Sequence, residues 1–117
     1  MKIENAIAQM RKGVLELCIL GIISKGEAYP SDIIRSLKEA KLIVVEGTLY
    51  PLLTRLKNAG LLDYTWREST SGPPRKYYHI TPEGREFLNQ LLLNWNGLVH
   101  AVEESTRHLQ QTTADNE

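Results

Sequence analysis

The sequence is poor in the residues that build disulfides, metal clusters and membrane spans. Cys18 is its only cysteine, which excludes an internal disulfide and a cysteine-rich zinc site. It lies in a short apolar run, where a buried, unreactive thiol is expected. The three histidines lack a chelating spacing. No apolar run approaches the ~18 residues that a membrane-spanning helix needs, and the N-terminus lacks a secretory pattern. These absences predict a soluble cytoplasmic protein without metal or cofactor.

Net charge is also lacking, because 14 Lys and Arg residues balance 14 Asp and Glu residues. Nucleic-acid-binding proteins usually carry a basic excess, so a neutral chain argues against that class. The charges are unevenly distributed, however: residues 1–47 carry +1, residues 48–85 carry +3 and residues 86–117 carry −4. The 117 residues, 42% of them hydrophobic, suffice for one modest core and exclude a two-domain enzyme.

Hydrophobic spacing predicts helices in the first forty residues. Apolar residues recur at intervals of three and four over residues 3–21, where two glycines allow either a bend or two helices. The next helix opens at Pro30, with Ser31 as its predicted cap, and ends near Ala40.

A further helix is predicted from Glu46 to Gly60. Its buried stripe consists of leucines, namely Leu49, Leu52, Leu53 and Leu56. Gly60 is typical of a helix C-terminus, and Pro51 is expected in the first turn, where proline costs no hydrogen bond.

After Gly60 the period changes from 3.6 to 2, which indicates a β-hairpin. Residues 62–67 form the first predicted strand, residues 69–74 the turn and residues 76–80 the second strand. Alternation turns Tyr78 inward and Tyr77 outward.

The last predicted helix begins at Pro82, with Thr81 as its cap. It carries a heptad apolar seam that predicts a dimer interface at Leu88, Leu92, Trp95, Val99 and Val102. We therefore divide the chain into a winged helix-turn-helix domain at 1–82, a dimerisation helix at 83–109 and a flexible tail at 110–117.

The order of elements predicts a mainly α fold with a small β-hairpin, an α+β winged helix-turn-helix followed by a C-terminal dimerisation helix. Such a motif places its second helix in the major groove of DNA and its basic hairpin against the backbone. The candidate DNA-binding residues lie at the start of one helix, on the outer face of the next and on the hairpin: Ser31, Thr48, Tyr50, Pro51, Thr54, Arg55, Arg75, Lys76 and Tyr77.

Several motifs resemble the PadR family of bacterial transcriptional regulators. They are TLYPLLTRL at 48–56, GLL at 60–62, GPPRKYY at 72–78 and ITPEG at 80–84. The resemblance covers roughly residues 11–102. It implies a homodimer held by the C-terminal helix, usually a repressor, often of detoxification or drug-efflux genes, with any ligand at or near the dimer interface.

The chain departs from the family pattern at two places. Tyr29-Pro30-Ser31 stands where similar members often carry glycine-tyrosine, and Pro73 replaces an arginine of the wing. The second departure predicts one cationic contact fewer on DNA.

These features predict a homodimeric, sequence-specific DNA-binding regulator, a repressor rather than an enzyme, acting on a pseudo-palindromic operator. Trp95 has two interpretations, a buried aromatic of the dimer seam or a stacking surface for a small planar aromatic effector. Arg55, Arg75 and Lys76 have the alternative of a solvated surface, and Tyr50 that of packing against the hairpin. The alternative function is a protein-interaction or small-molecule-sensing winged-helix module that does not bind DNA.

Overall fold

The N-terminal apolar pattern folds as two helices. In the computed structural model, which describes residues 1–115 and side chains as far as Leu109, α1 spans Ile3–Arg11 and α2 spans Val14–Ile23. Gly13 is the N-cap of α2, so a glycine separates the two helices. Helix α1 has no buried residue, whereas α2 supplies the core with Ile19, Leu20 and Ile23.

Helix α3 spans Pro30–Glu39, as the sequence predicts, but its cap differs. The N-cap is Tyr29, whose backbone N–H donates a 3.2 Å hydrogen bond to the Asp32 carboxylate. The prediction of Ser31 as the cap is therefore wrong. Pro30 is the first helical residue, which places Ser31 inside the first turn.

Helix α4 spans Glu46–Asn58 and follows α3 as the second helix of a helix-turn-helix. Leu49, Leu53 and Leu56 are buried as predicted. Gly60 follows the helix with a φ of 80°, a left-handed conformation that glycine adopts without strain. The prediction that Pro51 lies in the first turn is wrong, because the helix already begins at Glu46. Pro51 lies in the second turn, and its side chain is exposed.

Strands β1 (Leu62–Ser69) and β2 (Gly72–Ile80) form an antiparallel hairpin, hereafter the wing. Leu62 pairs with Ile80. The second strand begins at Gly72 rather than at the predicted residue 76, which leaves only residues 70–71 for the turn. The two prolines are accommodated because they stand near the start of the strand.

A third segment joins the wing to the helices. The backbone of Ala28 exchanges two hydrogen bonds with Tyr78, of 2.8 and 3.1 Å. One hydrophobic core lies between α2, α3, α4 and the wing. Cys18 packs against it, and burial raises the pKa of the Cys18 thiol, which makes the thiolate scarce at neutral pH. The core comprises Ile19, Leu20, Ile23, Ala28, Ile33, Leu37, Leu49, Leu53, Leu56, Leu62, Tyr78 and Ile80.

Helix α5 spans Pro82–Asp115. Thr81 caps it as predicted, since its Oγ1 accepts the Gly84 N–H at 2.9 Å. Its 34 residues correspond to about 51 Å, most of the 58 Å long dimension of the molecule. The predicted tail at 110–117 begins inside this helix, because no glycine or proline ends it at residue 109; residues 116–117 lie outside the described residues.

The predicted winged helix-turn-helix of the α+β class is confirmed. Across the described chain, no helix combines the length and the apolar character needed to cross a membrane.

Candidate nucleic-acid interface

A half-open cleft of about 480 Å³ separates the N-terminal end of α3 and the outer face of α4 from the wing. Five of the predicted DNA-binding residues line it together, namely Ser31, Tyr50, Thr54, Arg75 and Lys76. The structure adds to them Tyr29, Pro30, Glu46, Trp66, Pro74 and Tyr78. The cleft therefore combines hydroxyl groups, two cations and aromatic rings on one side of the molecule.

The other four predicted residues lie outside this cleft. Thr48 borders a separate, smaller pocket of about 190 Å³ beside Leu15 and Val44. Pro51 is exposed on α4, and Tyr77 is half-buried on the wing. The residues predicted as one DNA-binding surface therefore lie on more than one face of α4.

Arg55 has an ion-pair partner on α2 that no local sequence pattern indicates. Its guanidinium forms an ion pair with the Glu16 carboxylate of α2. The Glu16 side chain is only 17% exposed, whereas that of Arg55 is 69% exposed. The ion pair ties α4 to α2, and the Arg55 guanidinium remains mostly exposed.

The two faces of the wing have different surroundings because side chains alternate along a strand. On the face toward α4, Tyr64 packs 5.6 Å from Tyr78, ring centre to ring centre, and the Lys57 ammonium lies 5.8 Å from the Tyr64 ring centre. Burial raises the pKa of Tyr78, so its phenol stays neutral at physiological pH. Trp66, opposite Lys76, continues this face beyond the core.

The other face of the wing carries a stack of rings and cations. The Tyr29 and Tyr77 rings meet edge to face with centres 4.6 Å apart, and the Arg67 guanidinium lies 4.4 Å from the Tyr77 ring centre. Arg67 also pairs with the Glu27 carboxylate. The hydrogen bond to Tyr29 is the main cause of a raised pKa at Tyr77. Tyr77 faces away from the core as predicted, but these neighbours already contact it.

Arg75 bridges this stack and the cleft. Its Nη1 donates a 2.8 Å hydrogen bond to the Tyr29 hydroxyl, and its guanidinium lies 5.1 Å from the Tyr29 ring centre. Tyr29 and Trp66 are thus the main residues that sequence reasoning missed. The signal for Trp66 was present: it is an aromatic on the inward face of a strand, opposite a lysine rather than an apolar partner.

The predicted dimer seam divides into two parts along α5. Leu88 is partly buried against the core of its own chain, and its role in an interface between chains stays a prediction. Farther along, Leu92, Trp95 and Val102 expose 47%, 37% and 60% of their surfaces, and Val99 is half-buried. The seam leaves the core because α5 extends beyond the other helices.

Residues 19–90 match the model of the transcriptional regulator PadR-like family. The chain belongs to this family. Its members are transcriptional regulators rather than enzymes. The resemblance carried by the motifs of α4 and the wing is confirmed.

Solved structures of other members share the fold. A PadR-like transcription factor from Bacteroides fragilis is 60% identical, with a TM-score of 0.73 over 86% of this chain and 97% of its own. A PadR family regulator from Eggerthella lenta is 31% identical, with a TM-score of 0.80 over 87% and 89%. Bacillus subtilis PadR, solved in complex with operator DNA, is 28% identical, with a TM-score of 0.63 over 68% of this chain and 45% of its own.

Proposed function

We propose that this PadR-family regulator binds double-stranded DNA as a homodimer, with α4 in the major groove and the wing on the adjoining backbone. The observation that carries the proposal is the cleft, where Tyr50 and Thr54 of α4 meet Arg75 and Lys76 of the wing. Hydroxyl groups suit base edges and phosphates, and the cations suit phosphates. The complex of Bacillus subtilis PadR with operator DNA supports this use of the fold.

The exposed apolar row of α5 supports a second copy of the chain as partner. Leu92, Trp95 and Val102 lie on a helix that extends past its own core, and α1 adds the exposed Ile3 and Met10. Apolar rows at heptad spacing are typically covered by another helix. Two copies would present two α4 helices to successive major grooves of a pseudo-palindromic operator, about 34 Å apart.

We further propose that the dimer represses transcription and that a small planar aromatic effector relieves repression by stacking on Trp95 between the subunits. The support is a partly exposed indole in the apolar row, with Glu103 and Glu104 farther along the helix. A variant with Trp66→Phe keeps Trp95 as its only tryptophan. Planar dyes should quench its emission, and they should release DNA bound to the unaltered protein; unchanged emission would contradict the effector proposal.

DNA binding is tested by selecting a site from a random duplex pool and measuring its affinity by fluorescence anisotropy over a salt series. Affinity should fall steeply with salt, and Arg75→Ala should lower the log–log slope by about 1 because one phosphate contact is lost. Lys38→Ala is the matched control, since Lys38 is an exposed cation at the far end of α3. Absent or salt-insensitive binding would favour the module that senses small molecules or proteins without DNA.

A further inference from the structure

Trp66 is the large apolar side chain of the wing that the core does not use. Tyr64, two residues earlier on the same face, is half-buried beside Tyr78, whereas Trp66 exposes 61% of its surface. An indole left in water is a large apolar area, and such surfaces commonly mark a contact with a partner. Alternation along β1 explains which face Trp66 lies on, but its neighbours leave most of its surface uncovered.

The orientation of this exposed ring is fixed on one side. Its centre lies 5.9 Å from that of Tyr64, with the rings perpendicular, and 5.3 Å from the Lys76 Nζ. Lys76 is also its cross-strand partner and reaches within 4.5 Å of the Tyr64 ring centre. Edge contacts of this kind already restrict the rotamers of Trp66, so a binding partner loses less free energy in ordering the side chain. The remaining surface of the indole lines the cleft.

The charges of the cleft indicate what covers the ring. Arg75 and Lys76 lie on the wing side with Trp66, whereas the carboxylate of Glu46 lies on the α4 side. A polyanion is therefore attracted to the wing side, and Glu46 disfavours phosphates only near the start of α4. The backbone of DNA alternates phosphates with apolar sugar rings, and it matches cations placed next to an exposed indole.

We infer that Trp66 packs against a deoxyribose of bound DNA while Lys76 contacts the adjoining phosphate. The inference rests on the proposed function and adds a contact that carries no charge. Its consequence is specific: Trp66 contributes to affinity without contributing to the salt dependence, whereas Lys76 contributes to both.

The chain offers its own probe, because Trp66 and Trp95 are its two tryptophans. A variant with Trp95→Phe reports on Trp66 alone, and one with Trp66→Phe reports on Trp95 alone. Addition of the selected duplex should lower the acrylamide quenching of Trp66 at least about twofold, because bound DNA would cover its free surface. The quenching of Trp95 should change less than that of Trp66, because Trp95 lies on α5 and outside the cleft.

The second measurement is the affinity of Trp66→Ala over the same salt series. We expect affinity to fall about tenfold at each salt concentration with an unchanged slope, while Lys76→Ala lowers the slope by about 1. The emission of Trp95 and the circular dichroism of Trp66→Ala report that the variant is folded. Should Trp66→Ala unfold, Trp66→Leu, which keeps an apolar side chain but loses the flat ring, takes its place with an expected loss of about threefold.

Both results are required for the inference. If the unaltered protein binds duplex DNA but Trp66 remains equally quenchable, or if the folded substitution leaves affinity unchanged, the inference is overturned and the proposed function stands. If the unaltered protein binds no duplex from the pool, the proposed function fails, and this inference fails with it.

Discussion

The hydroxyl of Tyr29 accepts a 2.8 Å hydrogen bond from the Nη1 of Arg75. Tyr29 is also the N-cap of α3, so one residue connects the first helix of the helix-turn-helix to a cation of the wing. The contact joins residues 46 positions apart in the chain. It holds the guanidinium at the edge of the cleft, where the proposed function needs it.

Tyr29→Phe should weaken DNA binding without altering its salt dependence. The phenylalanine ring can keep the packing against Tyr77 and the contact with the Arg75 guanidinium, so the loss is confined to the hydrogen bonds of the phenol with Arg75 and with Tyr77. We expect affinity to fall about two- to fivefold because an exposed hydrogen bond contributes about 0.5–1 kcal/mol to holding the guanidinium in place. Anisotropy at several salt concentrations measures both quantities. Wild-type affinity in this variant would mean that Arg75 does not depend on the phenol.

The ion pair between Glu16 and Arg55 should oppose DNA binding while it stabilises the fold. Glu16→Gln removes the charge that holds the guanidinium near α2, and we expect DNA affinity to rise about two- to fivefold. A double-mutant cycle with Arg55→Met should give a coupling free energy of unfolding of about 0.5–1 kcal/mol in urea titrations.

The matched control for Glu16 is Glu39→Gln, which removes the same charge from an exposed position at the end of α3. An equal gain in DNA affinity from both substitutions would assign the effect to net charge rather than to the release of Arg55. A coupling free energy near zero would show that the ion pair does not stabilise the fold.

Local patterns predicted the elements whose signals are themselves local. Thr81 caps α5, Gly60 ends α4 and alternation turns Tyr78 inward, because each depends on neighbours within a few residues. The cap of α3 was missed since Ser31 has the preferred side chain, but the proline before it already begins the helix. The sequence placed the start of β2 too late because Pro73 and Pro74 are typical of a turn, whereas they lie at the beginning of the strand.

The site was less predictable because its contacts join distant parts of the chain. Composition identified Arg55 and Arg75 as cations near the recognition helix and wing, but no periodicity indicates that one pairs with Glu16 and the other with Tyr29. The exposure of Trp66 depends on where along β1 the hydrophobic core ends. Alternation predicts the face on which a side chain lies, but tertiary packing decides whether the core covers it.

The apolar row of α5 leads to a prediction about assembly. Val102→Asp places a charge in the proposed interface between two copies, and burial of an unpaired carboxylate there should dissociate the dimer. Sedimentation velocity should then give the 13.3 kDa mass of one chain. Leu93→Asp is the control, because Leu93 is exposed on the opposite side of the same helix. Dissociation by both substitutions, or by neither, would contradict this interface.

Gly84 allows a close approach of α5 to the turn between α4 and β1. A Cβ at this position would lie 2.1 Å from the Leu61 carbonyl oxygen and 2.7 Å from the Ile80 Cγ1. Because the nearer atom belongs to the backbone, no side-chain rotation relieves the overlap. We expect Gly84→Ala to lower the free energy of unfolding by about 3 kcal/mol in urea titrations followed by circular dichroism.

Gly97 is the matched control, since it lies in the same helix and a Cβ there would meet nothing within 4 Å outside the adjacent backbone of its own helix. Alanine is the better helix former, so Gly97→Ala should raise the free energy of unfolding by about 0.5–1 kcal/mol. The two substitutions are chemically identical and should therefore have opposite signs. A stable Gly84→Ala protein would mean that α5 does not begin against the turn between α4 and β1. The Thr81 hydroxyl donates a 2.7 Å hydrogen bond to the Gly60 carbonyl in that turn, and this bond would then be lost as well.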